Sequence, residues 1–242
     1  MKLAIIIAEY GHPAPDVTQY RETWPEADIQ VFSGSDLPDV PQLDPTHPRY
    51  GWRMNDYWKV RKMLDSGADV AMCFDGDMRI VNREAARTLP LLAERFGICL
   101  PINPRYLVRV DGAVGADTNW RPDAADHRHD LTGGTGTSVN CSPIAIRLAP
   151  WHVDDSPNGG GMAQQLAEVY CQEMLDDPVR GPIAWWRAMW RTGISPLILG
   201  PQWCTCERNI GCGNEIVIHE GHAAVKRHYA GMGSDGGWKH GG

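Results

Sequence analysis

The stretch GADVAMCFDGDMRIV, residues 67–81, decides the fold that the sequence predicts. Its apolar run VAMCF is bounded by turn signals and followed directly by Asp75, Gly76 and Asp77. A short apolar run of this kind is typical of a buried strand in an α/β sheet. The two carboxylates then lie at the C-terminal end of that strand, where open α/β sheets bind their ligands. The stretch therefore predicts an α/β domain with a site at this end of its sheet.

The triplet Asp75-Gly76-Asp77 suits a hard divalent cation. Gly76 allows the backbone to fold tightly, so that both carboxylates can turn toward one point. Paired carboxylate oxygens are the ligands that Mg²⁺ or Mn²⁺ prefers, especially where the metal also binds phosphate. The alternative is a β-hairpin, because Asp-Gly between two apolar runs is a strong turn signal. Both interpretations stay open here, since a metal-binding turn is still a turn.

Length and composition favour one globular α/β domain. The chain has 242 residues, of which 43% are hydrophobic and 22% charged, which fits a single large domain. The net charge of −7 argues against a broad polyanion-binding surface. Seven cysteines without a secretion signal indicate reduced thiols. The apolar segment Leu3–Ala8 is too short for a signal peptide and no run can span a bilayer, so we expect a cytoplasmic protein without a membrane span.

Hydrophobic periodicity and turn residues predict alternating strands and helices along the chain. Besides the strand before Asp75, the predicted strands are Lys2–Ala8, Asp28–Phe32, Ile98–Ile102, Pro196–Leu199 and Glu215–Ile218. The predicted helices are a short one capped by Asp16 and reaching Trp24, followed by Trp52–Ser66, Arg83–Phe96, Gly161–Leu175 and Ile183–Arg191. Residues 103–136 have no period apart from a candidate strand at Tyr106–Val110, and an extended pattern returns over Thr137–Leu148.

Several short segments follow one another in an order that is informative as a whole. They are Ala8-Glu9-Tyr10 after the first strand, Trp58 and Lys59 before the carboxylate triplet, the small-residue segment Gly133–Asn140, Leu199–Trp203 after two helices, and Ile216–Gly221 with a histidine after an apolar strand. This order resembles that of the GT-A nucleotide-sugar glycosyltransferases, in particular family 8-like enzymes. The resemblance covers most of the chain, and its distinctive motifs are the carboxylate triplet and the histidine. The usual Lys-Pro-Trp ending of that family is absent.

The resemblance implies a GT-A-type fold with a mixed, mostly parallel sheet flanked by helices in a single domain. Residues 1–102 would form a Rossmann-like nucleotide-sugar-binding half, 103–230 an acceptor half and 231–242 a flexible tail. The implied activity is metal-dependent transfer of a sugar from a nucleoside diphosphate sugar, with a UDP-sugar favoured, to an acceptor hydroxyl. Mn²⁺ or Mg²⁺ is the implied cofactor. The acceptor stays open between a sugar, a protein side chain and a hydroxymethylated base in phage-type DNA.

The resemblance also implies the roles of individual residues. The implied metal ligands are Asp75, Asp77 and His219. The implied donor-binding residues meet the nucleotide base or the diphosphate, and they are Ala8, Glu9, Tyr10, Lys59, Asp75, Gly76 and Lys226.

The third metal ligand has rivals within the C-terminal segment. His222 and His228 follow His219 closely, and we favour His219 because it comes directly after an apolar strand that would fix its position. The segment beyond His219 is rich in basic side chains, and we expect it to close over the donor diphosphate. A frayed terminus is the alternative for the glycine-rich part after Gly231.

An inverting enzyme would also need a carboxylate base near the acceptor hydroxyl. Asp176 and Asp177 are the candidates, with Glu173 nearby. The alternative is that these are solvated charges at a helix end. The sequence does not distinguish a retaining from an inverting reaction.

Two other functions compete with glycosyl transfer. A nucleotidyltransferase of similar architecture would need two metals and more acidic ligands than the sequence offers. A non-enzymatic binding protein stabilised by zinc would use Cys204, Cys206 and Cys212 together with a histidine, since thiolates and imidazole are the usual ligands of structural zinc. In that case Asp75-Gly76-Asp77 would be only a turn.

Three tryptophans lie on the predicted helix Ile183–Arg191. Trp186 and Trp190 are one helical turn apart, and Trp185 lies beside them. Packing in the core is the default expectation for such residues. Stacking on an acceptor is the alternative, because indole rings favour half-buried surfaces.

Overall fold

The structure is a computed structural model that describes residues 1–9, 15–33, 37–43, 46, 50–102, 139, 142–150, 161–176, 181–206 and 214–219. The side chains of Tyr50, Trp52, Ile183, Trp186 and Cys206 are outside this description. Several expectations from the sequence also fall outside the described residues: the candidate strand Tyr106–Val110, most of Gly133–Asn140, and the tail after His219.

The described residues contain nine strands and six helices, which follow one another singly or in pairs along the chain. The strands are β1 Leu3–Glu9, β2 Asp28–Ser33, β3 Val70–Asp75, β4 Met78–Ile80, β5 Ile98–Pro101, β6 Ile144–Arg147, β7 Leu197–Leu199, β8 Thr205–Cys206 and β9 Val217–His219. The helices are α1 Thr18–Thr23, α2 Tyr50–Leu64, α3 Arg83–Ala86, α4 Thr88–Phe96, α5 Met162–Asp176 and α6 Gly181–Thr192, with a 3₁₀ turn at Pro201–Trp203.

Six strands form one sheet in the order β2-β1-β3-β6-β5-β7. Strands β1, β2 and β3 pair in parallel, and β5 pairs in parallel with β7. Strand β6 is antiparallel to both of its neighbours, β3 and β5. The expected mixed, mostly parallel sheet is therefore confirmed.

Helices cover both faces of this sheet because its central strands are apolar on both sides. Along β1, Leu3, Ile5 and Ile7 face a cluster that includes side chains of α1 and α4. The alternate residues Ala4, Ile6 and Ala8 face a cluster with side chains of α2, α5 and α6. Continuous apolar strands of this kind are typical of sheets that are buried on both faces. The result is a three-layer α/β/α arrangement.

A second, small sheet has the order β4-β9-β8. Only two residues, Gly76 and Asp77, separate β3 from β4, yet β4 pairs with β9 and not with β3. The hairpin alternative for Asp75-Gly76-Asp77 is therefore wrong. The chain instead leaves the large sheet at this triplet and enters the small sheet.

The predicted helix Arg83–Phe96 is in fact two helices that meet at Arg87. Pro90 explains the break, because a proline cannot donate a hydrogen bond to the carbonyl four residues earlier, that of Ala86, and its ring crowds that group. The Arg87 side chain binds the carbonyls of Thr23 and Glu22 beside the break. The other predicted elements are found with ends shifted by a few residues.

The extended pattern predicted over Thr137–Leu148 contains a shorter strand, Ile144–Arg147, and an isolated bridge between Val139 and Ile102. Pro143 limits the strand on its N-terminal side, because it has no N–H to pair with a neighbour. In the part of the chain that the structure describes, no helix has the length and apolar character needed to cross a membrane.

Candidate metal centre

Asp75, Asp77 and His219 come together at one edge of the large sheet. Each offers one ligand atom, and these three atoms all lie within 4.8 Å of one another. Within the described ranges, no other group of three or more potential metal ligands of this kind is found. The structure thus brings together the three residues that the sequence predicts as metal ligands.

Pairing in the small sheet places His219 beside the two aspartates. Asp77 directly precedes β4, and the first residue of β4, Met78, pairs with His219 at the end of the antiparallel strand β9. His219 is the last residue of that strand, one residue beyond the predicted strand end at Ile218. Backbone pairing therefore sets the imidazole beside Asp77.

The three side chains are packed closely and largely shielded from solvent. The Nε2 atom of His219 lies 2.8 Å from Oδ1 of Asp77 and 3.6 Å from Oδ2 of Asp75. The side chains are 10% exposed for His219, 10% for Asp77 and 17% for Asp75. Electrostatic interactions are stronger in such a shielded place than in water.

The pKa of His219 is raised well above its ordinary value. Burial acts to lower this pKa, but side-chain hydrogen bonds with Asp77 and Cys204 and the negative charges of Asp77 and Asp75 outweigh it. A metal ion requires the neutral imidazole, so the raised pKa makes protonation of His219 compete with metal binding.

The donor set fits a divalent cation. Two carboxylate oxygens and one imidazole nitrogen suit Mn²⁺ or Mg²⁺ and leave other coordination positions for ligand oxygens. The zinc alternative gains no support from the described residues, where no cysteine belongs to a cluster of three ligands. Cys204 contacts His219 as a hydrogen-bond partner, whereas the side chain of Cys206 and all of Cys212 lie outside the description.

The end of β1 lies beside the triplet. Ala8 is in register with Asp75 across the parallel pair β1–β3, and the Gly76 N–H donates to the Ala8 carbonyl at 2.7 Å. Ala8 and Glu9 are thus next to the metal ligands, whereas Tyr10 lies outside the described residues. The contact of this segment with a nucleotide base stays a prediction.

Gly76 is required by close packing. A Cβ atom at this position would lie 3.1 Å from the Ala8 carbonyl oxygen and 3.4 Å from the Cα atom of Glu9. Both are backbone atoms, so the triplet would have to move away from β1. We expect Gly76→Ala to reduce the free energy of unfolding by about 1–3 kcal/mol and to weaken Mn²⁺ binding measurably. Chemical denaturation and calorimetry check both effects, with Gly200→Ala, whose close contacts are to the flexible Gln202 side chain, as the control.

Lys59 also reaches the centre. Its ammonium forms an ion pair with Oδ1 of Asp75 and lies 3.5 Å from Oδ1 of Asp56, one turn earlier on α2. Its predicted contact with a diphosphate stays a prediction. Lys226, His222 and His228 are outside the described residues.

The predicted bases have local partners of their own where the structure describes them. Asp176 ends α5, is exposed, and accepts a hydrogen bond from Gln172 at 2.5 Å. No hydrogen bond or ion pair between described residues joins it to the metal ligands. Glu173 is buried and bound by Arg191 at 2.7 Å, which leaves it in a structural ion pair. Asp177 lies outside the description, so the catalytic role of Asp176 and Asp177 stays a prediction.

Sequence reasoning missed three supporting residues. The buried Ser142 hydroxyl accepts the N–H of Asp75 at 2.9 Å. The Gln19 amide binds both Met78 O, at 2.9 Å, and Ile80 N, at 2.8 Å, and so holds β4. Asp56 partners Lys59, and its place three residues before that lysine on a helix is a signal that the sequence does contain.

Comparison with known proteins finds no matching family model and no matching curated protein. Among solved structures, the chain is similar to a glycosyltransferase involved in glycosylation of the major capsid of PBCV-1, with a TM-score of 0.49, 9% identity, and coverage of 94% of this chain and 99% of that one. It is similar to mouse xyloside xylosyltransferase 1, with a TM-score of 0.46, 13% identity, and coverage of 90% and 84%.

A third similar structure is 2-C-methyl-D-erythritol 4-phosphate cytidylyltransferase from Thermus thermophilus, with a TM-score of 0.47, 11% identity, and coverage of 96% and 100%. These similar structures therefore include two sugar transferases and one nucleotidyltransferase. Likenesses this distant do not carry an activity to the present chain, and the functional assignment rests on the geometry of its own site.

Proposed function

We propose that this protein is a metal-dependent glycosyltransferase that moves a sugar from a nucleoside diphosphate sugar to an acceptor hydroxyl. The single observation that supports this most is the cluster of Asp75, Asp77 and His219 beside the end of β1. Open α/β sheets bind nucleotides at the C-terminal ends of their strands, and here a set of divalent-cation ligands stands at that edge.

The donor would lie across the ends of β1 and β3. Ala8, Glu9 and Tyr10 would meet the nucleotide base, and the diphosphate would lie toward Gly76. A divalent cation held by Asp75, Asp77 and His219 would act as a Lewis acid that stabilises the charge on the leaving diphosphate. Manganese or magnesium fits the donor set, and a UDP-sugar is the donor that we favour on the resemblance described above.

The protein's own cations would assist the same leaving group. Lys59 already lies at the centre, paired with Asp75, and Lys226 follows in the chain after His219. Either ammonium would add fixed positive charge where negative charge develops, which is most effective in a site shielded from water. Asp176 and Asp177 are our candidates for the base that takes the proton of the acceptor hydroxyl. The acceptor classes are a sugar, a protein side chain or a hydroxymethylated DNA base.

A thermal-shift screen tests the proposal. Nucleoside diphosphate sugars are added with and without Mn²⁺, because a ligand that binds only the folded protein raises its apparent stability. We expect a UDP-sugar to raise the melting temperature only when Mn²⁺ is present, and to be consumed slowly with release of UDP. Stabilisation by CTP but by no nucleotide sugar would support a nucleotidyltransferase instead. Stabilisation by neither class, with or without metal, would contradict the proposal.

A further inference from the structure

We propose that Asp56 and Lys59 are positioning residues of the metal centre. Asp56 holds the Lys59 ammonium, Lys59 binds one carboxylate oxygen of Asp75, and the other oxygen of Asp75 is thereby turned toward the metal. The inference rests on the proposed function in one respect, because it requires a metal ion at Asp75, Asp77 and His219.

Lys59 is buried to a degree that requires charged partners. Only 3% of the residue is exposed, and a lysine is almost never buried in this way unless it is paired. The ammonium has carboxylates on two sides, Asp75 in direct ion pairing and Asp56 at 3.5 Å. Taking an ammonium out of water is costly, and such charged contacts offset that cost only when their geometry is good. These two carboxylates therefore help to fix the position of the Lys59 ammonium.

The two oxygens of Asp75 have different partners. Lys59 binds Oδ1, whereas Oδ2 faces the His219 imidazole at 3.6 Å. The backbone of Asp75 is fixed as well, since its N–H donates to the Ser142 hydroxyl at 2.9 Å. With one oxygen held by the ammonium, the carboxylate presents the other to a metal that His219 shares. This is the orienting role that partners of metal ligands commonly have.

Asp56 is in turn fixed by the helices that pack against α2. Its Oδ2 accepts the N–H of Gly181, the first residue of α6, at 3.1 Å. Its backbone carbonyl accepts the Tyr170 hydroxyl, from α5, at 3.1 Å. Hydrogen bonds from two different helices thus fix the position of Asp56. Because Lys59 contacts both Asp56 and Asp75, the position of Asp56 influences that of the Asp75 carboxylate. The α5–α6 pair consequently helps to define the geometry of a metal ligand that it is not itself bonded to.

The charges agree with this assignment. Among the groups that these contacts join, the carboxylates of Asp56, Asp75 and Asp77 outnumber the one ammonium, that of Lys59, so negative charge is left over when His219 is neutral. A divalent cation would offset this negative charge. Without the negative charge of Asp56, the full charge of Lys59 would act on Asp75 and compete with the metal for it.

The test is Asp56→Asn, measured as Mn²⁺ affinity by calorimetry on the full chain. Asparagine keeps an oxygen acceptor for the Gly181 N–H but has no negative charge for Lys59. We expect Mn²⁺ binding to weaken by about 10- to 100-fold, as is typical when a partner of a metal ligand is lost. The metal-free protein should lose some stability, because the buried Lys59 ammonium loses a charged partner, but it should remain folded at the temperature of the titration. Asp65→Asn is the matched control, because Asp65 follows the same helix and pairs with Arg61 away from the centre; its effect should be less than about twofold.

A double-mutant cycle shows whether Asp56 acts through Lys59. In a Lys59→Met background, Asp56→Asn should change Mn²⁺ affinity by less than about twofold, since the link has already been removed. Lys59→Gln replaces methionine in the cycle if the latter does not fold. An equal loss of affinity with and without Lys59 would show that Asp56 acts by its charge alone and would overturn the inference. Wild-type protein that binds no Mn²⁺ would instead overturn the metal site, and the proposed function with it.

Discussion

Replacing Asp77 by asparagine should remove Mn²⁺ binding while leaving the fold in place. The Oδ1 atom of Asp77 is 2.8 Å from Nε2 of His219, and the side chain is only 10% exposed. Asparagine has nearly the same shape and still offers an oxygen to the imidazole, but it lacks the charge that a hard cation requires. Loss of a direct ligand should weaken Mn²⁺ binding by more than the about 10- to 100-fold that is typical when a hydrogen-bond partner of a ligand is lost.

Calorimetry and thermal unfolding measure this effect together. At a Mn²⁺ concentration of about 100 times its dissociation constant, the wild type should gain about 2.7 kcal/mol of stability, and Asp77→Asn should gain almost none. Asp28→Asn is the control, because Asp28 is an exposed aspartate far from the metal ligands. It is in register with Ala4, which lies four residues before Ala8 on β1, and Ala8 is the residue beside Asp75. Equal stabilisation of Asp77→Asn and wild type by Mn²⁺ would show that the metal, if it binds, binds elsewhere.

The carboxylate half of this centre was predictable from local sequence. An apolar run followed by Asp75-Gly76-Asp77 identifies a buried strand with acidic residues at its C-terminal end, and both features depend only on neighbouring residues. The position of these carboxylates, at the C-terminal ends of the sheet strands, then follows from the fold class. The structure agrees with this placement, and it adds that Asp75 is in register with Ala8 of β1.

The way in which His219 reaches the site was not predictable in the same manner. Periodicity indicated a strand before His219, but it could not indicate which strand would be its partner. The turn signal at Asp75-Gly76-Asp77 even favoured pairing of β3 with β4. The observed partner of β4 is β9, from the far end of the sequence. Such pairings depend on which edges remain open in the folded chain, and that information is not local.

The supporting contacts show the same distinction. The break between α3 and α4 follows from Pro90, and it could have been recognised from the sequence. The hydrogen bond from Asp75 N to Ser142 joins residues that are distant in sequence, and a serine before a proline gives no sign of such a role. Close approach explains Gly76, since Ala8 and Glu9 occupy the space that a side chain would need.

Trp185→Ala should cause the largest loss of stability among the changes considered. Trp185 belongs to the core, the default expectation for the tryptophans of this helix: its exposed fraction is 0%, and its ring stacks on Tyr170 with centroids 4.1 Å apart. Replacing a buried tryptophan by alanine costs about 3–5 kcal/mol, because it removes apolar contacts and leaves a cavity. Urea unfolding with analysis of the transition midpoint measures this loss.

Two further variants show whether the loss of stability comes from the burial of Trp185 or from removing a tryptophan as such. Trp190 lies on the same helix but is 83% exposed, so Trp190→Ala should change the free energy of unfolding by no more than about 0.5 kcal/mol. Trp185→Phe should cost much less than alanine, because the phenyl ring keeps most of the packing. Among the described residues the indole N–H of Trp185 has no hydrogen-bond partner, so phenylalanine also removes a buried donor that carries a penalty of about 1–3 kcal/mol.

Trp185→Ala should also weaken metal binding. Tyr170, which stacks on Trp185, donates its hydroxyl to the backbone carbonyl of Asp56, and Asp56 holds Lys59 against Asp75. A cavity beside Tyr170 would loosen this hydrogen bond, so Trp185→Ala should weaken Mn²⁺ binding in protein that is still folded, whereas Trp190→Ala should not. Mn²⁺ titrations well below the unfolding transition measure this effect. If Trp185→Ala lowers stability as expected but binds Mn²⁺ as tightly as wild type, the packing of α5 and α6 does not control the position of Asp75.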